Sequence, residues 1–188
     1  MSEFMKKLSQ KILFKGQWLT FKEEIFLSKE GQRIRWETLS RNQPGQIGVV
    51  LARLMPSRRY VLIKQFRPAV NGYILGLPTG MIGRDPKDAL RELKEETGFI
   101  GRIVEQSPAL SANAGMIDDT CRVVCVEIDE KFPCNQNPHQ ELEPTEDIEV
   151  VLVAEAQIKK FLLTQQRKGV RVSSGLWYIF GLQSFFNK

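Results

Sequence analysis

Residues 90–99, LRELKEETGF, constrain the chain most, because their pattern predicts a helix that crowds acids onto one face. A period of 3.6 residues brings Glu92, Glu95 and Glu96 onto a single arc of about 100°. The apolar stripe of the same helix consists of Ala89, Leu90 and Leu93. The core and the three acids therefore lie side by side, with the acids at the rim of the apolar surface.

The boundaries of this helix are also predicted by the sequence. Asp85 is a candidate N-cap with Pro86 at the first helical position, and Asp88 is placed to reach back as in a capping box. Gly98 stands where a left-handed C-terminal residue is needed. We therefore expect a helix over residues 86–97.

The acidic face has two interpretations. An exposed helix tolerates like charges at a cost of only ~0.2–0.5 kcal/mol per pair, and Arg91 and Lys94 can screen them. At a partly desolvated rim the repulsion rises to about 3 kcal/mol for charges 6 Å apart, and a divalent cation would turn it into attraction. Upstream, an apolar strand ends at Leu77-Pro78 and passes through Thr79-Gly80 into a short loop. A backbone carbonyl there and two carboxylates would form an all-oxygen site suited to Mg²⁺ or Mn²⁺.

The rest of the chain predicts an α+β domain in which strands outnumber helices. Residues 16–28 and 32–40 form a hairpin in which Gly31 provides the positive φ of the turn. Further strands are predicted over residues 46–55, 60–66, 101–106, 120–128 and 147–153, and further helices over 155–166 and 173–186. Residues 130–147 are rich in proline, asparagine and acids, which indicates a long loop.

Composition excludes several function classes. No apolar run approaches the ~20 residues of a membrane helix, and the amino terminus is too charged for a secretory signal, so a cytoplasmic location is expected. The single histidine, His139, excludes a serine–histidine triad and a histidine-based metal cage. Three cysteines cannot form a closed set of pairs, and Cys121 and Cys125, on one side of a predicted strand, are interpreted as buried thiols because no nearby histidine or further cysteine completes a zinc pattern. The net charge of +5 is dispersed, so nucleic-acid binding is not expected.

Residues 91–99, RELKEETGF, resemble the second half of the Nudix box, the signature of hydrolases that act on nucleoside diphosphates linked to another group. The resemblance extends in order and spacing through WETLSR, KQFRPAVNGY, LPTG and SPALSANAG to the ADP-ribose and nucleotide-sugar pyrophosphatase branch. It implies a Nudix fold, a mixed β-sheet sandwiched by helices (α/β/α) with an N-terminal antiparallel hairpin arm. Residues 1–43 would form that arm and contribute to a dimer, and residues 44–188 the hydrolase domain.

The resemblance also implies where a metal would bind. The ligands would be Glu92, Glu96, the Thr79 carbonyl and, between the two glutamates, Glu95. The implied chemistry is attack of a water on a phosphorus of the pyrophosphate, with Mg²⁺ polarising the phosphoryl oxygens. Glu92 and Glu95 are accordingly expected among the catalytic residues, and a late-loop carboxylate assists as ligand or base. Glu146 occupies the matching place, and Glu141 and Glu143 remain alternatives.

Substrate contacts are implied at three kinds of side chain. Arg67 and Arg41 would bind the pyrophosphate, because a guanidinium presents a planar fork to phosphate oxygens. Trp18 and Trp36 would stack on adenine from the two subunits of a homodimer with exchanged N-terminal strands, and Glu37 would read the edge of the base. The alternative is that a tryptophan on a strand belongs to the core. Gly80 of the LPTG turn completes the predicted substrate-binding residues.

The first half of the box departs from the family pattern. The full signature places its arginine fourteen positions after its first glycine, whereas Arg91 stands eleven positions after Gly80, so three residues are missing. The early glutamate has no counterpart, since Gly83 or Arg84 stands there, and Gly76 replaces the glutamate that usually precedes the loop proline by two residues. These losses threaten the loop geometry and could leave Arg91 without its usual partner.

Two functions therefore remain open at this point. The first is a Mg²⁺-dependent pyrophosphohydrolase that splits ADP-ribose or a related nucleotide sugar into a nucleoside monophosphate and a sugar phosphate. The second is a catalytically weakened relative that binds such a nucleotide as a sensor or regulatory module. The intact glutamates favour the enzyme, and the shortened loop favours the binder.

Overall fold

A computed structural model describes residues 5–83, 85 and 87–182, which form two compact units. Residues 5–47 and 109–121 make up the first unit, and residues 48–108 and 122–182 the second. The domain boundary expected near residue 43 stays a prediction. No helix in the described part of the chain is long and apolar enough to cross a bilayer.

The first unit is built on a three-stranded antiparallel sheet in the order β1-β2-β3. Its strands are β1 (Lys6–Lys15), β2 (Leu19–Leu27) and β3 (Arg33–Arg41). The predicted hairpin is present, with Gly31 at φ 80° in its turn. Strand β1 was not predicted, because its apolar and polar residues do not alternate clearly and every one of its ten residues is exposed.

The second unit is built on a mixed eight-stranded sheet in the order β11-β6-β5-β4-β9-β8, with β10 paired to β5 and β7 to β4. The strands are β4 (Gln46–Met55), β5 (Arg59–Arg67), β6 (Gly72–Gly76), β7 (Thr79–Ile82), β8 (Arg102–Gln106), β9 (Cys121–Asp129), β10 (Ile148–Ala154) and β11 (Arg171–Val172). The helices are α1 (Asp88–Thr97), α2 (Pro133–Gln136), α3 (Ile158–Arg167) and α4 (Ser174–Leu176), which a π-helical turn continues over Trp177–Gly181. Short 3-10 turns cover Pro68–Val70 and Glu155–Gln157.

Two apolar clusters cover the two faces of this sheet. Val61 belongs to the cluster that includes Leu93 of α1, and the next residue, Leu62, to the cluster that includes Leu162 of α3. Successive residues of a strand point to opposite faces, so α1 and α3 pack on opposite sides. The expected mixed sheet between helices, together with the N-terminal antiparallel hairpin, is confirmed.

Helix α1 differs from its predicted start. Asp85 accepts a hydrogen bond from the Lys87 N–H (2.9 Å), but the residue before the helix is Lys87 and its side chain makes no cap. The expectation that Asp88 closes a capping box is wrong, because its carboxylate reaches past Asp85 and accepts from the Gly83 N–H (2.8 Å). Pro86 and Arg84 lie outside the described residues. The left-handed Gly98 is confirmed at φ 77°.

The segment after Pro78 also differs from expectation. In place of a loop, β7 pairs with β4 and anchors Ile82 in the core. The close approach depends on Gly48 of β4, where a Cβ would lie 2.6 Å from the Ile82 side chain. The predicted strands and the α3 helix are present, and the C-terminal helix is present as far as Gly181; its residues from 183 on lie outside the described part.

Gly98 and Gly169 provide a matched pair for a stability measurement. Both have positive φ (77° and 85°), but a Cβ at Gly98 would collide with the backbone of His139, whereas a Cβ at Gly169 would meet nothing within 4 Å. Gly169→Ala should lower the free energy of unfolding by about 1 kcal/mol through backbone strain. Gly98→Ala should lower it by about 3 kcal/mol or more, since the loop must also move. Urea unfolding of the two variants checks this, and equal losses would contradict the packing of residues 138–139 on the helix end.

Candidate active site

Helix α1 carries the three glutamates at graded depths. Glu96 is 3% exposed, and Glu92 and Glu95 are partly buried. Leu93 and Ala89 lie in the core, so the position of the acids at the rim of the apolar stripe follows from the helical period. Glu96 therefore does not belong to a fully solvated helix face.

Glu96 is the most perturbed of the acids. Burial raises the pKa of its carboxyl to about 8, and the negative charges of Glu146 and Glu92 add to the rise. The Thr79 N–H donates to Glu96 Oε2 at 2.9 Å, and this hydrogen bond and the charge of Arg67 act in the opposite direction. A residue in an extended strand directs its N–H and C=O to the same side, so the Thr79 carbonyl also lies on the Glu96 side.

Glu92 lies against Gly80. A Cβ at Gly80 would fall on the Glu92 carboxylate, so the glycine of the LPTG turn is what allows this approach. Burial raises the pKa of Glu92, repulsion from Glu95 and Glu146 adds to the rise, and Arg91 opposes it. Thr79 and Gly80 therefore lie directly against two glutamates of the helix.

Arg91 is not left without a partner by the missing early glutamate. Its Nη2 is 2.5 Å from Glu92 Oε1, and its Nη1 is 2.6 Å from Glu95 Oε2. Arg91 thus forms ion pairs with two glutamates of the box itself. Its guanidinium offsets the repulsion between these carboxylates that a cation would otherwise have to relieve.

The three late-loop acids differ in what they contact. The Glu141 carboxylate pairs with Lys94 at 2.8 Å, and its N–H donates to the Glu95 carbonyl at 2.8 Å. The Glu143 N–H donates to Glu146 Oε2 at 2.9 Å within a turn. Of the three, Glu146 is the one whose charge raises the pKa of both Glu92 and Glu96, which indicates that it faces the box.

Strand pairing explains why Glu146 and Arg67 lie at the same end of the sheet. Ile148 of β10 is opposite Gln65 of β5, and the Phe66 N–H donates to the Asp147 carbonyl at 3.1 Å. Continued antiparallel pairing brings the residue before Asp147 to the level of Arg67. The positive charge of the exposed Arg67 acts on Glu96 from this end of the sheet and lowers its pKa.

The predicted adenine-binding residues lie in the first unit. Trp18 is 57% exposed and Trp36 is 45% exposed, so neither indole is a core residue, and the two rings are not in contact with each other. The Trp36 Nε1–H donates to the Gly115 carbonyl at 3.1 Å. Arg41 is paired with Asp119 at 2.8 Å, and Glu37 lies opposite Glu23 in the β2–β3 register. These side chains offer exposed aromatic faces next to fixed polar groups.

The donor set fits a hard divalent cation. All the candidate ligands are oxygens, Glu96 is buried with a raised pKa, and negative charges surround it, so a cation would relieve both burial and repulsion. The oxygens are not gathered into a finished centre: in the described part of the chain, no group of three acidic, cysteine or histidine side chains is arranged to hold a metal. Glu92 and Glu95 are engaged by Arg91 instead.

A cavity of about 280 Å³ adjoins this site, lined in part by Gln65, Thr79 and Ser173. Gln65 precedes Arg67 by two residues on β5, so the two side chains share a strand face. The sequence did not point to Ser173, because a serine that lies more than seventy residues after the glutamate helix carries no local sequence signal for the site. The short parallel pairing of β11 with β6 brings it to the cavity.

Two named relatives are similar to this chain in sequence. A protein of Caenorhabditis elegans named putative nudix hydrolase 2 is 33% identical over 187 aligned positions, covering 93% of this chain and 84% of the relative. The ADP-sugar pyrophosphatase of Mus musculus is 33% identical over 153 positions, covering 76% of this chain and 70% of the mouse protein. The chain belongs to the Nudix hydrolase family. The expectation drawn from the RELKEETGF motif is thereby confirmed.

The fold of this Nudix hydrolase is also found among solved structures. The crystal structure of an ADP compounds hydrolase matches with a TM-score of 0.63 at 19% identity, covering 85% of this chain and 83% of that one. A comparison with models of protein families gave no match.

Proposed function

We propose that this Nudix hydrolase is a divalent-metal-dependent pyrophosphohydrolase that cleaves ADP-ribose or a related nucleoside diphosphate sugar. The products are a nucleoside monophosphate and a sugar phosphate. The observation that carries the proposal is buried Glu96, which accepts a hydrogen bond from the Thr79 N–H, together with Glu92, whose carboxylate packs against Gly80. The charges of Glu146 and Arg67 also act on Glu96. The name of the mouse relative, an ADP-sugar pyrophosphatase, supports this substrate class. A cytoplasmic location stays a prediction from the sequence.

The metal proposed for this site is Mg²⁺ or Mn²⁺, held by Glu92, Glu96 and the Thr79 carbonyl, with Glu95 as an additional ligand. When bound, such an ion lowers the pKa of water and stabilises charge on phosphoryl oxygens. For Glu92 and Glu95 to serve, their ion pairs with Arg91 must open. Arg91 is then free to stabilise the negative charge of the substrate.

The remaining chemistry is assigned to residues of this chain. Arg67 holds a nonbridging phosphate oxygen and orients the pyrophosphate. The water oxygen bonds to phosphorus, and the bridging P–O bond breaks with its electron pair leaving on the departing phosphate. Glu146 is assigned the proton of the attacking water, since its charge acts on both Glu92 and Glu96 and, among the described residues, its carboxylate accepts a hydrogen bond only from the Glu143 N–H of the same turn.

We further propose that Trp18 and Trp36 stack on adenine, that Glu37 reads its edge, and that Arg41 helps to bind the pyrophosphate. The shared site requires a homodimer with exchanged N-terminal strands. Strand β1 supports this proposal, because it is an edge strand with exposed apolar side chains, among them Phe14 at 68%. A second copy of the chain would cover these side chains.

Turnover is tested with ADP-ribose and ADP-glucose in Mg²⁺ and then in Mn²⁺, measuring the released nucleoside monophosphate. Glu96→Gln should lower kcat/KM by about 100-fold or more, because it removes a buried charged ligand. The matched control is Glu105→Gln, which makes the same change at an exposed acid of β8 and should leave kcat/KM unchanged. Tight nucleotide binding without turnover in either ion would instead establish a sensor.

The role of Glu146 is separated from its neighbours by three parallel variants. Glu146→Gln should reduce kcat by a factor of 10² to 10⁴, as expected for a general base. Glu141→Gln and Glu143→Gln should retain nearly full kcat, because the first carboxylate is paired with Lys94 and the second is exposed. A larger loss at Glu141 or Glu143 than at Glu146 would reassign the base.

The dimer is tested by the mass of the protein in solution, measured by light scattering. Ile12→Asp should shift the mass toward the monomer, because it places a charge on an exposed apolar position of β1. Ser9→Asp adds the same charge to the same strand without removing apolar surface, and should leave the mass unchanged. A monomeric wild-type protein would refute the shared adenine site and leave the hydrolytic site untouched.

A further inference from the structure

A short segment, residues 115–119, runs along the edge of β3 that does not face β2 in the first unit. Leu39 and Ile117 form a parallel bridge. The Leu39 N–H donates to the carbonyl before Ile117 at 2.8 Å, and the Leu39 carbonyl accepts from the N–H after it at 3.2 Å. Residues of two parallel strands advance together, so two positions further along Arg41 lies level with Asp119.

The carboxylate of Asp119 holds the Arg41 guanidinium at its Nε atom. Arg41 Nε donates to Asp119 Oδ2 at 2.8 Å, and the Asp119 side chain is 7% exposed, whereas Arg41 is exposed. Among the described residues, no hydrogen bond or ion pair of the Arg41 Nη1 and Nη2 groups is found. A planar guanidinium anchored at Nε still presents both Nη groups, which form a fork that matches two phosphate oxygens.

This anchoring restricts a side chain that would otherwise have many rotamers. An arginine loses much of its conformational entropy when a ligand immobilises it, and this loss weakens binding. In the folded chain Asp119 has already restricted Arg41, so less entropy is lost when an anion binds. Repulsion between Asp119 and the anion acts in the opposite direction, but the carboxylate lies at the Nε atom and leaves the Nη groups to the ligand.

The preceding residue, Asp118, has different contacts and offers a comparison. Its carboxylate accepts hydrogen bonds from the Ser40 hydroxyl and from Lys22 Nζ, the latter at 3.0 Å, and the residue is exposed. Asp118 therefore joins the segment to β2 and β3 without contacting Arg41. Two adjacent acids of one segment thus have separate partners.

We propose that Asp119 is a positioning residue for substrate binding, because it holds Arg41 with its two Nη groups free for oxygens of the pyrophosphate. The assignment rests on the proposed function, in which Arg41 helps to bind the pyrophosphate. Asp119 does not touch the substrate and acts only through Arg41. Its contribution is therefore to the affinity for the diphosphate and not to the affinity for the nucleoside.

Two ligands separate these contributions: ADP and adenosine, titrated individually in Mg²⁺ by calorimetry. Asp119→Leu removes the acceptor and keeps a side chain of similar size. It should weaken ADP about tenfold, or 1.4 kcal/mol, and leave the Kd of adenosine unchanged. Asp119→Asn retains an acceptor oxygen, so it should weaken ADP by a smaller factor, and it serves if Asp119→Leu does not fold. Asp118→Leu makes the same change at the neighbouring acid and should alter neither Kd.

A double-mutant cycle tests whether Asp119 acts through Arg41. Arg41→Gln should weaken ADP by about tenfold or more, because it removes the guanidinium fork. Adding Asp119→Leu to Arg41→Gln should cause no further loss, since the residue that Asp119 positions is then absent. Losses that add in the double variant would contradict the assignment.

Three other results would overturn the positioning role. They are a wild-type protein that binds ADP no more tightly than adenosine, equal weakening of both ligands by Asp119→Leu, and an ADP affinity that Asp119→Leu leaves unchanged or raises. None of these measurements depends on turnover. A protein that binds ADP through Arg41 and Asp119 but does not cleave ADP-ribose would refute the proposed hydrolysis and retain the positioning role. Turnover of ADP-ribose with a KM insensitive to Asp119→Leu would have the opposite meaning.

Discussion

The gathering of negative charge around Glu96 is the constraint on which the site depends. A carboxylate that is 3% exposed loses most of its hydration, and Glu92 and Glu146 add repulsion. The fold compensates with one backbone N–H, from Thr79, and with the positive charge of Arg67. This compensation is partial, so the site retains a demand for a cation or a proton.

Much of this arrangement could be predicted from local sequence. The helical period placed Glu92, Glu95 and Glu96 on one arc beside Leu93, and the left-handed Gly98 followed from its position after the last apolar residue. Strand alternation predicted the hairpin at Gly31 and the strands β4, β5, β6, β8, β9 and β10 of the large sheet, but not β7 or β11. These features depend on interactions within a few residues, which is the range over which a sequence pattern carries information.

The features that could not be predicted depend on distant or competing partners. The Asp88 carboxylate can accept a hydrogen bond from more than one backbone N–H. It accepts from the Gly83 N–H, which a capping-box pattern does not reveal. The early glutamate that usually pairs with the helix arginine is missing, but Arg91 forms ion pairs with two neighbouring glutamates instead, Glu92 and Glu95. Ser173 reaches the cavity beside the site through the two-residue parallel pairing of β11 with β6. Strand β1 is exposed along its whole length, so burial leaves no periodic trace in its sequence.

The loop that contains Gln140 and Glu141 contacts the C-terminal end of α1 and fixes its own position relative to the helix. The Glu141 N–H donates to the Glu95 carbonyl at 2.8 Å, and the Gln140 amide donates to the Glu96 carbonyl at 2.6 Å. These are carbonyls of the last helical turn, which would otherwise lack partners. The loop therefore caps the C-terminal end of the helix, and the chain continues directly from it to Glu146. Glu96 and Glu146 are far apart along the chain, and these loop contacts keep them at a fixed spacing. A change in loop length would therefore alter that spacing even with every carboxylate retained.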